Sequence, residues 1–430
     1  MPPSRFFCRS IHTTSKSNAK LYGWGHTQAL PLTRTPNIFT KPTPLFDQPD
    51  YALPRSDQVN FMATGWGHSL LGTDKHVYGF GLNRCHQLGL ANKRQTSYSL
   101  KSNETLKGLA CGREHSHIVI GNREDTSDTI YSMGNNMYGQ LGVGECKSTR
   151  PGQLVMQNQP TPITQGYDGH HITDIVCGMD NTVFSTDANK IYAMGWGADG
   201  QLGQGPDWST DTNVPSCLPL VGAIQKLSSS TDFTLALLGD GQLWVWGNSE
   251  YGQGMQGTKI DRILAPVPVN MIDETIIDVA AGGPFSVILT GKWIKKERGW
   301  GWRFVCGVGN SDDRDNVYLP SFCFVLENLE SGNVYTCGYG GVGLGKEVIE
   351  TLKLQKVKGL DKIMRVFAAT DYAAAISESG DLFTWGLNGP SGRLGLGHYQ
   401  HEFVAKQVDM GNNIVMDLSL GTNHALALCV

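Results

Sequence analysis

The chain has 430 residues, of which 53 are glycine, and a formal net charge of −4 at neutral pH. This glycine content with only 17% charged residues indicates a turn-rich β protein, because glycine supplies the positive-φ positions of tight turns. No apolar run approaches the roughly 18 residues of a membrane-spanning helix. The ten cysteines include no C-x-x-C pair, so neither a zinc site nor a disulfide framework is indicated, and we expect reduced, buried thiols.

Residues 1–18 predict a mitochondrial transit peptide. They are basic, rich in Ser and Thr, and free of acidic residues, a composition typical of organellar targeting segments. The Arg-x-Ile-x-x-Thr pattern at 9–14 resembles the two-step processing signal of mitochondrial precursors, which predicts a mature chain that starts near Ala19 with a net charge of −7. We expect the protein in the matrix or on the matrix face of the inner membrane; the alternative is an ordinary disordered terminus.

A short alternating strand that runs into a glycine-rich turn recurs seven times, and one of its clearest copies is IYAMGWGADGQLGQG at 191–205. Each copy carries an aromatic residue and, three positions later, a glycine. These pairs are Tyr22 and Gly25, Tyr78 and Gly81, Tyr131 and Gly134, Tyr192 and Gly195, Trp244 and Gly247, Tyr335 and Gly338, and Phe383 and Gly386. Most intervals are close to fifty residues, a period typical of propellers and other repeat architectures.

Upstream of each glycine-rich turn, a strand and a small turn lead into another strand that begins at a recurring position, which we call the column. The column residues are His68, His115, Asn181, Phe233, Phe285, Tyr372 and His424. Each unit therefore has room for about four short antiparallel strands, which is the geometry of a propeller blade. We predict an all-β, seven-bladed β-propeller of four-stranded blades, in which the column histidines form hydrogen bonds between blades.

The two ends of the repeat region complement each other. The segment 20–25 is a glycine-turn strand without its upstream half, and 414–430 is an upstream half without its downstream partner. We predict that they pair in one blade and close the ring, because a closed ring hides edge strands that would otherwise cause aggregation. Between them, the first unit has lost its Gly-Gln-Leu-Gly, and residues 31–58 are expected to form a Pro-rich loop.

These repeats resemble the regulator of chromosome condensation family, most clearly at YSMGNNMYGQLGVG (131–144) and YAMGWGADGQLGQG (192–205). Within that family, the segments SMGNN, GWGADGQ and WGNSEYGQ are similar to those of the mitochondrial member encoded in the Williams–Beuren region. The resemblance covers nearly all of 19–430. It implies a propeller that binds a small GTPase with one face and displaces its nucleotide without a covalent step.

One spacing between column residues is 87 residues, where the most common spacing is 52. The extra residues lie at 291–326. Three interpretations stay open: a functional loop, a tolerated surface insertion, or a gene-model artefact, which we favour because the segment starts and ends like an intron. Transcript reads across it would decide between them.

The motifs that resemble catalytic or cofactor sites lack the necessary context. G-x-G-x-x-G occurs at 195–200 and 338–343, but neither copy opens a convincing helix, so neither predicts a dinucleotide site. The near P-loop at 340–346 is followed by Glu347 where Ser or Thr is required. No catalytic triad is evident. We therefore expect no cofactor and no covalent catalysis.

The residue before the column is acidic in four units: Glu114, Asp180, Asp232 and Asp371. In a propeller these positions fall in equivalent turns on one face, around the central channel. They would form an acidic face suited to a basic protein partner and poorly suited to nucleic acid; the alternative is that they only stabilise their own turns. The predicted partner-binding face comprises Glu114, Asp180, Asp232, Asp371, His68, His115, Asn181, Asn423 and His424.

His115 and His117 alternate along one strand and therefore point the same way. With no third ligand nearby in the sequence, we predict no metal site.

The resemblance implies two functions. The first is an exchange factor or interaction platform for a mitochondrial, dynamin-like GTPase. The alternative is an assembly factor of the mitochondrial ribosomal large subunit that contacts rRNA or assembly proteins, although the net charge of −7 disfavours broad RNA contact. Neither 145–171 nor 291–326 resembles the hairpin wedge that exchange members insert into their GTPase. We expect a monomer, with peripheral inner-membrane association at most.

Overall fold

Seven antiparallel sheets of four strands each make up the protein, as the computed structural model shows. The structure describes residues 19–34, 38–54, 58–89, 93–122, 127–144, 155–206, 210–293 and 329–430. The predicted transit peptide at 1–18 and most of the 291–326 segment lie outside these ranges. Within them, no helix is long and apolar enough to cross a membrane.

The strands follow one another with short connections. In chain order they are β1 (Lys20–His26), β2 (Ile38–Pro44), β3 (Phe61–Thr64), β4 (His68–Gly72), β5 (His76–Gly81), β6 (Gln95–Ser99), β7 (Glu104–Cys111), β8 (His115–Asn122), β9 (Asp128–Asn135), β10 (Met156–Pro162), β11 (Ile172–Cys177), β12 (Asn181–Thr186), β13 (Lys190–Gly195) and β14 (Thr212–Val221). They continue as β15 (Ile224–Ser229), β16 (Phe233–Leu238), β17 (Leu243–Ser249), β18 (Ile260–Pro268), β19 (Ile276–Ala281), β20 (Phe285–Trp293), β21 (Leu329–Tyr339), β22 (Glu350–Lys356), β23 (Ile363–Ala369), β24 (Tyr372–Ser377), β25 (Leu382–Gly386), β26 (Glu402–Gln407), β27 (Val415–Leu420) and β28 (His424–Cys429). Short 3-10 turns occur at Thr27–Ala29 and Gly389–Ser391.

Each sheet is one blade of a β-propeller, which confirms the predicted fold. Blade 1 has the order β2-β1-β28-β27, and blades 2 to 7 are β3–β6, β7–β10, β11–β14, β15–β18, β19–β22 and β23–β26. In blade 1, β1 runs antiparallel to β28 with Lys20 opposite Cys429 and Gly25 opposite His424. The ring is therefore closed by strands from both ends of the repeat region, as predicted.

The first strands of neighbouring blades contact each other around the central channel. Most of them carry a β-bulge, and the residue just after the bulge is charged in five consecutive blades. This charged collar is Asp174, Lys226, Asp278, Arg365 and Asp417. Asp278 accepts hydrogen bonds from Lys226 Nζ at 2.5 Å and from the Val366 amide of the next blade at 2.9 Å. The collar thus connects blades whose ladders are interrupted by the bulge.

The hydrophobic core fills the spaces between adjacent blades. Apolar side chains from facing sheets pack together at every junction of the ring. Trp246 is fully buried and donates its indole N–H to the backbone carbonyl of Gln201 in the preceding blade at 2.9 Å. Trp24 likewise donates to the backbone carbonyl of Arg393 at 2.8 Å. Each blade is therefore stabilised chiefly by its neighbours.

The recurring glycine has a steric cause. At Gly195 the backbone has φ of 106°, and an added Cβ would lie 2.4 Å from the Asp180 carbonyl oxygen. The six equivalent glycines also have positive φ and a comparably close backbone oxygen. Any other residue would both strain the backbone and clash.

The Gln of Gly-Gln-Leu-Gly holds the turn that follows this glycine. Its side-chain oxygen accepts the backbone amide two residues earlier, as in Gln201 with Asp199 at 2.9 Å and Gln140 with Tyr138 at 3.0 Å. In blade 1, where this motif is missing, the 3-10 turn Thr27–Ala29 stands in the same place.

Two segments differ from the expected loops. Part of 31–58 forms β2, the outermost strand of blade 1, because an edge strand tolerates the prolines at 42 and 44. Residues 291–293 extend β20 and pair with β21 up to Trp293 opposite Leu329. The blade 6 hairpin is therefore intact on both sides of 294–328.

Candidate partner-binding face

Two sets of turns open on the same face of the ring. The turns between first and second strands precede the column residues, and the glycine-rich turns follow the third strands. Because second and third strands are antiparallel, with His68 opposite Gly81, both sets lie at the same end of the blades. We call this the glycine-turn face, and the opposite one, which carries the hairpins between second and third strands, the hairpin face.

Hydrogen bonds link the first-to-second turns into a continuous ring around the channel mouth. Each turn bonds to the next blade's turn, and the donors and acceptors are Thr422 N to Gly65 O, Trp66 N to Gly112 O, Arg113 N to Met179 O, Met179 N to Thr231 O, Thr231 Oγ1 to Gly283 O, Gly283 N to Thr370 O, and Tyr372 Oη to Gly421 O. The same turns hold the glycine-rich turns, since the Asp180 carbonyl accepts the Trp196 amide at 2.9 Å. The face is therefore a rigid platform.

The column residues hold the blades together below this platform. His68, His115 and His424 are fully buried, and each forms a hydrogen bond through Nε2 to a hydroxyl of the next blade. The bonded pairs are His68 with Ser116 at 2.8 Å, His115 with Thr182 at 3.1 Å and His424 with Ser69 at 2.7 Å. The predicted hydrogen bonds between blades are thus present.

Burial keeps these imidazoles neutral. It lowers the pKa of His68 to about 4 and that of His424 to about 3, because a buried imidazole resists protonation. Asn181, which takes the column position in blade 4, is also buried. These four members of the predicted partner-binding face therefore lie beneath the surface, and the three histidines contact the next blade. Asn423 is partly exposed, and its carbonyl accepts the His26 amide at 2.8 Å.

Three of the four predicted turn carboxylates are neutralised by arginine. Arg84 pairs with Glu114 at 2.6 Å, Arg393 pairs with Asp371 at 3.3 Å, and Arg113 pairs with Asp180. Burial opposes ionisation of Glu114, yet hydrogen bonds from Arg84, Cys85 and Asn135 leave its pKa lowered. The expected acidic face is therefore mostly balanced. Each arginine is at least 22 residues from its carboxylate in the sequence, so the repeat pattern does not show the pairing.

Asp232 is the exception. Within the described ranges it has no cationic partner, and only Gln201 Nε2 approaches its carboxylate, at 3.4 Å. The same amide lies 3.4 Å from Asp199, so the two carboxylates share one donor. Burial raises the pKa of Asp232; the charges of Asp199 and Glu250 also raise it, while the Gln201 hydrogen bond and the charge of Arg113 oppose them. Among the described residues, Asp199, Asp232 and Glu250 thus form an acidic cluster without an ion pair where blades 4 and 5 meet, with Arg113 and Arg262 as the nearby positive charges.

Aromatic pairs flank this cluster. The rings of Tyr138 and Trp196 are 4.6 Å apart across the junction of blades 3 and 4, and those of Tyr251 and Tyr339 are 5.3 Å apart across the junction of blades 5 and 6. Tyr251 and Tyr339 are each 40% exposed. We call the combined set the acidic–aromatic surface; it consists of Tyr138, Trp196, Asp199, Asp232, Glu250, Tyr251 and Tyr339.

Sequence reasoning missed most of this surface. Its aromatic members occupy the second and fifth positions counted from the recurring glycine, as in Gly195-Trp196 and Gly247…Tyr251. That spacing is visible in the sequence, but only the ring closure of the blades shows that the fifth position of one unit meets the second position of the next. The surface offers carboxylates and aromatic faces together, which suits a cationic partner segment.

A third candidate metal ligand, distant in the sequence, lies near His115 and His117. Cys177 of blade 4 lies beside them, and the ligand atoms of the three side chains all lie within 4.8 Å of one another. The repeat pattern places Cys177 in another unit, so the sequence alone does not show this proximity.

Comparisons with known proteins agree with this architecture. The sequence model of the Regulator of chromosome condensation (RCC1) repeat matches residues 127–185, 189–237 and 240–289. A mouse relative, RCC1-like G exchanging factor-like protein, is 30% identical over 88% of this chain and 78% of its own length. The crystal structure of human WBSCR16 superposes with a TM-score of 0.72 at 23% identity and covers 96% of this chain and 99% of that one.

Yeast (Saccharomyces cerevisiae) Prp20p, whose structure was described with its binding properties to Gsp1p and histones, has the same fold. It superposes with a TM-score of 0.72 at 17% identity and covers 96% of this chain and 91% of that one. The mouse relative shares enough identity over enough of its length to show more than a common fold. The chain belongs to the regulator of chromosome condensation (RCC1) repeat family.

Proposed function

We propose that this protein is an interaction propeller that binds a GTPase through the acidic–aromatic surface and acts on it as an exchange factor or a docking platform. The observation that carries the proposal is that Asp199, Asp232 and Glu250 cluster between two aromatic pairs and, among the described residues, form no ion pair. The family supports the choice of partner, since the mouse relative is named a G exchanging factor-like protein and Prp20p is described with Gsp1p.

The surface has the chemistry for such a partner. Basic side chains of a docked segment would pair with the three carboxylates, and its apolar or guanidinium groups would stack on Tyr251 and Tyr339. A GTPase holds its nucleotide with a lysine and Mg²⁺, both of which carboxylates attract. Docked near that pocket, the cluster would compete with phosphate and weaken nucleotide binding, with no covalent step.

We also propose that this activity takes place in mitochondria, in the matrix or on the matrix face of the inner membrane. The support is the acid-free, basic composition of residues 1–18. Import of a fusion of residues 1–18 to a reporter protein into isolated mitochondria tests this part separately. A reporter that stays outside would contradict it.

Affinity purification of the full chain from mitochondria, with and without RNase, tests the partner. The variant Glu250→Lys reverses an exposed charge on the glycine-turn face, and its matched control Asp240→Lys reverses an exposed charge in the same blade on the hairpin face. We expect an RNase-resistant GTPase with the wild type and with Asp240→Lys, and at least a tenfold lower recovery with Glu250→Lys.

Equal recovery with both variants would place the partner elsewhere on the ring. Loss of every partner on RNase treatment would instead favour a ribosome-assembly role. Release of a fluorescent GDP analogue from the recovered GTPase then distinguishes exchange, which accelerates release, from docking, which leaves its rate unchanged.

A further inference from the structure

A second cluster lies inside the ring, at the junction of blades 3 and 4. His115 and His117 of β8 and Cys177 of β11 are all buried, and their ligand atoms lie within 4.8 Å of one another. Two imidazole nitrogens and one thiol converge here from two blades. Imidazole and thiolate together form the donor set that proteins use for copper and zinc.

His117 is exceptional among its equivalents. The residue two positions after the column is apolar in the six other units, where it is Leu70, Val183, Leu235, Val287, Ala374 and Leu426. An imidazole at this fully buried position carries a desolvation cost that an apolar residue avoids. His117 also bonds to Thr182, at 2.9 Å, but it is a second histidine on a hydroxyl that His115 already reaches at 3.1 Å. The column histidines of blades 1 and 2 bond to hydroxyls of the next blade without such a second histidine.

The orientation of the cluster suits ligation. His117 Nδ1 lies 2.9 Å from Ser132 Oγ, so its ring is oriented by a partner on one nitrogen, as the ring of a ligating histidine is. Thr182 Oγ1 is 2.9 Å from His117 Nε2, 3.1 Å from His115 Nε2 and 3.9 Å from Cys177 Sγ. The hydroxyl thus caps the triangle of donors on one side.

Charge decides which ion fits. A trigonal His₂Cys set with a weak axial oxygen is a copper arrangement. Bound through one thiolate, Cu⁺ leaves the site neutral, whereas Zn²⁺ would leave a net positive charge in the core, and a buried unpaired charge is costly. Metal bonds of about 2 Å draw the donors closer than 4.8 Å, a shift of under about 1 Å for each side chain.

We propose that His115, His117 and Cys177 form a trigonal Cu⁺ site at the junction of blades 3 and 4, with Thr182 as a weak axial oxygen. Because the three donors are buried, the ion enters while the chain folds. The site ties blade 3 to blade 4 and adds to the hydrogen bonds of the column. It is independent of the acidic–aromatic surface and of any GTPase.

The test uses the full chain in a Cys217→Ser background, which removes an exposed thiol. The protein is refolded with Cu⁺ under reducing conditions, desalted against a chelator, and its copper measured by elemental analysis. We expect about one copper per chain, a higher melting temperature than after metal-free refolding, and X-ray absorption with two nitrogen ligands and one sulfur ligand.

Two variants remove the site in different ways. His117→Leu introduces the residue type found at equivalent positions, and Cys177→Ser removes the thiol; both are expected to lose the copper while circular dichroism shows the same fold. Cys337→Ser removes a buried thiol of blade 6 and is expected to keep it. The proposal would be overturned if the folded wild type held no copper or if all variants held the same amount of copper per chain. Binding of zinc in place of copper, when both ions are offered, would also overturn it.

Discussion

At the scale of the residue, the glycine that ends each third strand joins the repeat pattern to the partner-binding face. The turn that begins at Gly195 packs against the backbone carbonyl of Asp180, and Asp180 is itself a member of the predicted partner-binding face. Positive φ and lack of space act together there, whereas Gly205 of the same unit meets only the first constraint. The recurrence of this glycine in seven units is therefore a packing requirement.

Gly195→Ala and Gly205→Ala separate the two constraints. Both positions have φ near 100°, but a Cβ at Gly205 meets nothing within 4 Å. We expect Gly205→Ala to lower the free energy of unfolding by about 1 kcal/mol, from backbone strain alone, and Gly195→Ala by about 3 kcal/mol or more, because overpacking is added. Urea denaturation measures both; equal losses would show that the contact with Asp180 does not matter.

The buried histidines make stability depend on pH. An imidazole that stays neutral in the folded state but is protonated in the unfolded state favours unfolding as the pH falls below 6.5. The effect grows until the folded pKa is reached, which is about 4 for His68 and about 3 for His117 and His424. Each of these residues should cost about 1 kcal/mol of stability between pH 7.5 and 5.5.

His424→Asn tests this dependence with the residue that blade 4 already uses in the column. Asn does not titrate, so the variant should lose about 1 kcal/mol less than the wild type between pH 7.5 and 5.5, whatever its stability at pH 7.5. Denaturation curves at both pH values give the difference. Parallel losses in the two proteins would mean that His424 is protonated in the folded state.

At the scale of the element, strand beginnings were predictable from the repeat because each is marked by local chemistry. His68, His115, Asn181, Phe233, Phe285, Tyr372 and His424 each begin the second strand of a blade, where the alternating apolar pattern starts. β2 was not predictable, because its prolines indicate a loop and only its place at the edge of blade 1 permits a strand. The arginines opposite Asp180 and Asp371, and Cys177 beside His117, depend on contacts between blades.

The charged collar gives a matched pair of element-scale variants. Asp278 is buried and accepts Lys226 and the Val366 amide, so Asp278→Ala should cost about 3 kcal/mol by leaving both without their acceptor. Asp417, at the equivalent position, pairs with Arg365 in a half-exposed setting, and Asp417→Ala should cost less than about 1 kcal/mol. Thermal unfolding measures the loss of stability in both variants. A larger loss for Asp417→Ala than for Asp278→Ala would show that the collar acts mainly through blade 1.

At the scale of the whole molecule, the ring is cooperative because each blade buries its apolar faces against two neighbours. The number of blades and the pairing of the terminal segments were predictable from the count and order of the repeat landmarks. The location of a partner surface was not predictable, since it depends on which turn carboxylates have no arginine partner in the folded ring.

Deletion of 414–430 removes β27 and β28 and leaves β1 without its partner. We expect the shortened chain to lose its cooperative thermal transition and to aggregate through the exposed edges. Replacement of 294–328 by Asn-Gly is the control, because Trp293 and Leu329 are paired and a two-residue turn can join them. Light scattering and calorimetry compare the two; a truncated chain that stays monomeric and melts cooperatively would contradict the importance of closure.

The pairing of β1 with β28 also determines when the protein can finish folding. Of the described strands, the first to be synthesised has the last to be synthesised as its native neighbour. Blades 2 to 7 can each form from consecutive strands as they emerge, but the hairpin of β1 and β2 must wait until β27 and β28 have been made before blade 1 is complete. Joining partners separated by nearly the whole chain is the slowest kind of contact to form. Until that contact forms, β1 keeps an unpaired edge that can pair with other chains, and the ring stays open.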